Sequence, residues 1–335
     1  MTVVGIRSMA HYVPEQVLTS ADIARMSGIP EEIIREKFGI HQIHKAPPEE
    51  SVTDMGVKAA KKALGEMDPQ EIDMVVYCGS EYKDYYLFNA AARIAHQVGA
   101  SRAAVFEIHN LCSAGVWSLK VLKSMMIQDE SLKKVLLVSS SKEGDLINYE
   151  DQDSRFMFNF GDGAAAVILE RDYRRNVILE SAMIADGRFS GDVSVPWIGS
   201  VNFNAFDKMP PKGHYLQVTD VQSMKERLDP VTLDNFLEVM RQAAKKSGFE
   251  KIDFLAPIFM KRSIVLHLME ELGIDEEKTY VLEEFGHCQS ADSFISLIEG
   301  EKSGRLQDGD RAILVAAGTG YTWAATGIQW GEYRG

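Results

Sequence analysis

Cys112 stands in the run Phe106-Glu107-Ile108-His109-Asn110-Leu111-Cys112-Ser113-Ala114-Gly115. The apolar stretch 103–108 predicts a strand. Val116, Leu119, Val121, Leu122 and Met125 follow at helical spacing. A thiol at that junction meets the unpaired N–H groups and the positive end of the helix. Both favour the thiolate, the nucleophilic form of cysteine. Ser113, Ala114 and Gly115 leave room for a carbonyl to approach the sulfur. A lone cysteine is more often inert packing, so other residues must decide.

His287 lies in Phe285-Gly286-His287-Cys288-Gln289-Ser290-Ala291-Asp292-Ser293, a small-residue loop between a predicted strand and a predicted helix. An imidazole there can serve as base or hydrogen-bond donor. Two further blocks stand out: Phe160-Gly161-Asp162-Gly163-Ala164-Ala165-Ala166-Val167 and Ala317-Gly318-Thr319-Gly320-Tyr321-Thr322-Trp323. His267 falls inside a predicted helix and reads as a packing or surface residue. His109, three residues before the cysteine, reads as structural.

The elements that must position these groups alternate. Strands are predicted over 2–8, 73–78, 104–108, 134–139 and 163–169. Helices are predicted over 20–26, 30–37, 51–67, 90–98 and 114–128. The rhythm then restarts, with strands over 177–183, 254–258, 279–282, 312–316 and 321–330, and helices over 229–247, 263–272 and 290–299. Such alternation predicts an α/β fold with mixed sheets. Residues 187–220 lack periodicity and read as an excursion over one face.

The 335 residues suffice for two domains or one large fold. Three scattered cysteines, Cys78, Cys112 and Cys288, make no disulfide framework, which favours a reducing, cytoplasmic setting. No apolar run reaches the length of a membrane span. A formal net charge of −13 argues against nucleic acid as a general partner.

The three blocks, in order and spacing, resemble β-ketoacyl-acyl-carrier-protein synthase III of the thiolase superfamily. Cys112 matches its nucleophile, 160–167 its FGDGAGA strand, and 317–323 its GxGxTW loop. The resemblance spans essentially the whole chain. It implies a thiolase-like fold of two similar halves, here 1–172 and 173–335, in α-β-α-β-α layers with two mixed five-stranded sheets. It also implies a homodimer, a buried cysteine at a tunnel floor, and fatty acid or polyketide biosynthesis. The expected chemistry is acyl loading from a CoA or carrier-protein thioester onto Cys112, then transfer to a second substrate. No permanently bound cofactor and no metal are expected, and acyl carrier protein is an expected partner. The oxyanion donors implied are the backbone of Cys112 and of Gly318, Thr319 or Gly320.

The chain departs from that family's pattern. The place of its usual histidine falls on Ile258 or Phe259, and that of its usual asparagine on Cys288. Decarboxylation is therefore an open expectation, and His287 is the substitute base or donor. Gly79-Ser80-Glu81 resembles the G-[ST]-E of hydroxymethylglutaryl-CoA synthases, which offers Glu81 as a general acid/base. Where the family stacks and holds adenine, this chain places Ile33 and Lys37. Lys225, Arg227, Lys261 and Arg262 are candidates for a cationic rim. The alternative expectation is a catalytically degenerate subunit that partners or carries acyl groups for an active homologue.

Overall fold

The computed structural model describes residues 2–335. Its strands are β1 (Val4–Tyr12), β2 (Val17–Thr19), β3 (Gln42–His44), β4 (Met74–Gly79), β5 (Ala104–His109), β6 (Lys134–Ser141) and β7 (Gly163–Arg171). There follow β8 (Arg175–Ala185), β9 (Val193–Ser194), β10 (Gln217–Val218), β11 (Phe254–Pro257), β12 (Arg311–Gly318) and β13 (Thr322–Glu332).

The hydrogen-bonded order of the main sheet is β11-β12-β13-β8-β1-β7-β6-β4-β5. The two halves repeat one pairing scheme. In the first, β4 lies parallel to β5 and β6, and β6, β7 and β1 follow antiparallel. In the second, β11 is parallel to β12, and β12, β13 and β8 follow antiparallel. The halves join at a single pair, Gly5↔Val177. A side chain at Gly5 would overlap the carbonyls of Tyr173 and Arg175, so only glycine lets the strands meet there.

The expected two five-stranded sheets thus form one run of nine strands among the described residues. The outermost place of the second half, expected over 279–282, is held by Thr279 alone. It bridges Leu255 and bonds its carbonyl through the Thr279 hydroxyl at 2.9 Å. The chain then turns away: Leu282 O accepts both Phe285 N and Gly286 N, which bends 282–286 out of line.

Layering follows from burial. Helices Val52–Leu64 and Ala90–Val98 bury one face against the first half through Met55, Ala59, Ala63 and Ile94. Helices Thr232–Lys246 and Arg262–Glu271 cover the second half. Between the halves run Ala114–Gln128 and Asp292–Lys302, which touch strands of both. Leu119, Leu122, Phe294, Ile295 and Leu297 are fully buried there. Burying apolar surface on all sides fixes these two helices rigidly, and both carry site residues at their N-terminal ends. The excursion 187–220 lays β9 and β10 over a cluster that includes Ile23, Ile43, Met157 and Phe158.

Candidate active site

β5 ends at His109, and a tight turn, Leu111–Ser113, precedes the helix Ala114–Gln128. The strand–helix junction read from sequence is there, with the sulfur held on the turn rather than on the helix itself. Leu111 takes φ 51°, a left-handed conformation rare for a branched residue. The turn is clamped by the Ser113 hydroxyl, 2.9 Å from Asn110 O and 2.8 Å from the Thr322 hydroxyl. Cys112 is 8% exposed.

Gly318 ends β12 directly on this turn. A Cβ there would stand 2.9 Å from Asn110 O and 3.3 Å from Cys112 N. Gly318 therefore stands directly against the Cys112 amide. Gly115 works likewise on the other side: a side chain would overlap Ser290 O and lie 2.9 Å from Phe294. That contact brings the 287–292 loop against the cysteine helix.

His287 is the second component. Its Nε2 lies 3.3 Å from Cys112 Sγ and its Nδ1 2.5 Å from Asp292 Oδ2. His287 is 5% exposed and Asp292 1%. Asp292 opens the helix Asp292–Lys302 after the turn Gln289–Ala291. Its carboxylate also accepts Cys288 N at 2.7 Å and Phe259 N at 2.8 Å. Burial pushes the imidazole towards its neutral form, but the Asp292 carboxylate and the Cys112 sulfur outweigh it. The net shift of the His287 pKa is well upward. A thiol, an imidazole and a buried carboxylate are thus linked through the two ring nitrogens, an arrangement able to serve thiol-based group transfer.

The turn Phe160-Gly161-Asp162-Gly163 (FGDG) holds this histidine. Phe160 meets the His287 ring edge-on at 4.8 Å between centroids, and Gly161 N donates to His287 O at 3.1 Å. Beside the site is a cavity of about 330 Å³. Its walls include Phe38, Phe236, Ile258, Phe259, Ala317 and Tyr321, with Arg155 and Lys261 exposed among the lining residues.

His287 faces the sulfur, while Cys288, at the place of the family's usual asparagine, is fully buried, with its thiol packed towards Gly163 and 3.9 Å from Gly286 O. Several expectations are corrected. Glu81 is not a buried acid: its side chain is 76% exposed and pairs with His109 at 2.7 Å. The buried carboxylate of that region is Glu143, which accepts from Ser80, Ser141 and Gln289. Arg227 is not free for a rim, because Asp192 holds it at 2.9 Å and it stacks on Phe189. Lys37 is exposed and lines a separate shallow depression with Arg262, and Arg262 pairs with Glu283 at 3.5 Å. Ile258 and Phe259 are buried, so the place of the family's usual histidine is apolar. Asp292 and Asn159, whose backbone carbonyl accepts His287 N at 2.6 Å, went unread. The five-residue spacing from His287 was the one available signal for Asp292.

A family model described as 3-Oxoacyl-[acyl-carrier-protein (ACP)] synthase III matches residues 106–187. The model of its C terminal part matches 243–330. Beta-ketoacyl-[acyl-carrier-protein] synthase III of Azobacteroides pseudotrichonymphae genomovar. CFP2 is 28% identical over 333 residues, covering 97% of each chain. The chain belongs to the 3-oxoacyl-acyl-carrier-protein synthase III family. A second relative of that name, from Desulfitobacterium hafniense (strain Y51), is 28% identical over 335 residues and covers 99% of each chain. The crystal structure of 3-oxoacyl-[acyl-carrier-protein] synthase III from Aquifex aeolicus VF5 superposes with a TM-score of 0.83 at 26% identity. It covers 98% of this chain and 100% of that one. The protein named FabH from Pseudomonas aeruginosa PAO1 matches with a TM-score of 0.85 at 21% identity, a likeness of fold. The thiolase-type architecture expected from the three blocks is therefore the family's own. Among the described residues, no helix is long and apolar enough to cross a membrane.

Proposed function

We propose that this chain is a condensing acyltransferase of the 3-oxoacyl-acyl-carrier-protein synthase III type, with Cys112 as the acyl acceptor. The observation that carries the reading is the contact between Cys112 Sγ and His287 Nε2, with Asp292 behind the imidazole. The Cys112 thiolate, paired with the imidazolium, attacks the carbonyl of a CoA or carrier-protein thioester. The developing oxyanion is held by the Cys112 N–H and the facing 318–320 backbone; one such donor contributes ~3 kcal/mol. His287 then gives its proton to the departing thiolate, leaving an acyl-enzyme and a neutral imidazole. That imidazole, its Nδ1 proton held by Asp292, is ready to take a proton from the second substrate at Nε2. The acceptor is a carbon, nitrogen or oxygen nucleophile.

Arg155 and Lys261 at the cavity, with Lys37 and Arg262 nearby, supply positive charge for a phosphate-bearing arm or an acidic carrier protein. A cytoplasmic homodimer fits the same reading. β5 is an edge strand with Phe106 and Ile108 only half-buried. Sedimentation measures the oligomeric state.

The function is tested by incubating the protein with acyl-CoA and acyl-carrier thioesters and weighing it intact. A mass increase equal to the acyl group, absent in Cys112→Ala, is expected. No adduct from any thioester would overturn the reading.

A further inference from the structure

Asn159 is polar where its surroundings are not. It lies in the turn between Gln152–Met157 and β7 and lines the cavity with Phe156, Ile258 and Phe259. Its backbone is fixed to the site, because Asn159 O accepts His287 N at 2.6 Å. Its carboxamide is not matched in the same way. Nδ2 makes only a long contact of 3.5 Å to Phe259 O, and Oδ1 is buried with no hydrogen-bond partner. A buried acceptor without a donor is costly and rare in a folded protein. The Thr232 hydroxyl, also on the cavity wall, already accepts from Trp323 Nε1 at 3.2 Å. An unused acceptor on an apolar wall, next to the base, marks where a ligand's N–H belongs.

We propose that Asn159 is a specificity-determining residue whose Oδ1 accepts an amide N–H of the thioester's pantetheine arm. The inference rests on the acyl-transfer reading above. The arm's chemistry matches the wall's residues: phosphate for Arg155 and Lys261, methylene and methyl groups for the apolar side chains, and an amide N–H for the unpartnered Asn159 Oδ1. CoA and carrier protein present the same arm, so the assignment is to the shared group. A site built to bond an N–H discriminates against an analogue lacking it far better than an apolar wall discriminates by size.

The test uses the full-length protein and two small thioesters of one acyl group. One is carried by N-acetylcysteamine, the other by the analogue in which the amide N–H is replaced by an ester oxygen. Loading of Cys112 is followed by intact mass in single turnover. The wild type is expected to load from the amide about tenfold faster than from the ester, the loss expected for one neutral hydrogen bond. Asn159→Leu is expected to load slowly from both, with the ratio close to one. Asn159→Asp, which keeps an acceptor, is expected to retain the preference. Loading from acyl-CoA and from an acylated carrier protein is expected to fall by a similar factor in Asn159→Leu. A loss confined to one of the two overturns the shared-arm assignment.

An equal rate with both arms in the wild type, or an undiminished preference in Asn159→Leu, overturns the inference while the acyl-transfer reading stands. No adduct with either arm, nor with acyl-CoA or acyl carrier, overturns both.

Discussion

Asp292 Oδ2 lies 2.5 Å from His287 Nδ1, and the same carboxylate gathers the N–H groups of Cys288 and Phe259. One buried acid therefore does two jobs. It orients the imidazole towards Cys112, and it ties the His287 loop to the end of β11. The charge is compensated by these donors in a setting where an unpaired carboxylate would be strongly disfavoured.

Removing the base separates its role from that of the sulfur. His287→Ala is expected to leave Cys112 in place but to slow acyl loading by about 10²–10⁴-fold, the usual range for a positioned acid–base group. Single-turnover mass analysis reads the rate. Loading within tenfold of wild type would show that His287 is packing alone.

Asp292→Asn tests positioning through a pH profile. The carboxylate is a principal cause of the raised His287 pKa. Without its charge the imidazolium loses its proton at lower pH. The titration of the His287 ring protons, followed by NMR, is expected to move to lower pH in the variant. A merely structural role would lower the melting temperature without moving that titration.

Glu81 supplies a contrast. Its side chain is exposed and its partner is His109, a surface pair of small energetic weight. Glu81→Ala is expected to change acyl loading less than twofold and stability by less than about 0.5 kcal/mol. A large drop in rate would restore it as a site acid.

Gly115 and Gly187 make a matched pair of substitutions. A methyl group at Gly115 overlaps Ser290 O and crowds Phe294, whereas one at Gly187 meets nothing within 4 Å. Gly115→Ala is expected to destabilise by about 1–3 kcal/mol, as overpacking does, and to slow loading by displacing the His287 loop. Gly187→Ala is expected to do neither. Urea denaturation beside the loading assay checks both.

Much of the fold was legible because burial imposes period on sequence. Ala90–Val98 and Ala114–Gln128 have the bounds their apolar spacing indicates. The loss of the strand over 279–282 was not legible, because an apolar run does not reveal that its neighbours turn after one bridge. At the site, Cys112 and the glycine loop could be read because each needs a residue type that little else explains. Asp292 was hidden by the helix over 290–299. An acid in a first helical turn is ordinary, and the turn Gln289–Ala291 that swings it back to His287 leaves no periodic trace. Glu81 misled for the opposite reason: a three-residue match carries no information on where the side chain points.

Asp162, the acid of the FGDG turn, stores a pH dependence. It is fully buried, Oδ2 accepts Ala46 N at 2.8 Å, and Lys45 Nζ stands at 3.5 Å, while Oδ1 has no partner. Burial outweighs Lys45 and raises the pKa from 3.8 to about 6. A group that binds its proton more tightly when folded stabilises the fold most where both states are protonated, below about pH 4. That contribution fades as pH rises through 6 and is gone above it, a swing of order 2–3 kcal/mol for this shift. Other carboxylates titrate in the same range, so the informative quantity is wild type minus Asp162→Asn. The amide keeps an acceptor for Ala46 N and carries no charge to bury. Relative to wild type, the variant is expected to gain stability between pH 4.5 and pH 7.5, read from urea midpoints at each pH. A difference that stays flat across that window, or that falls, would show that Lys45 fully neutralises the buried charge.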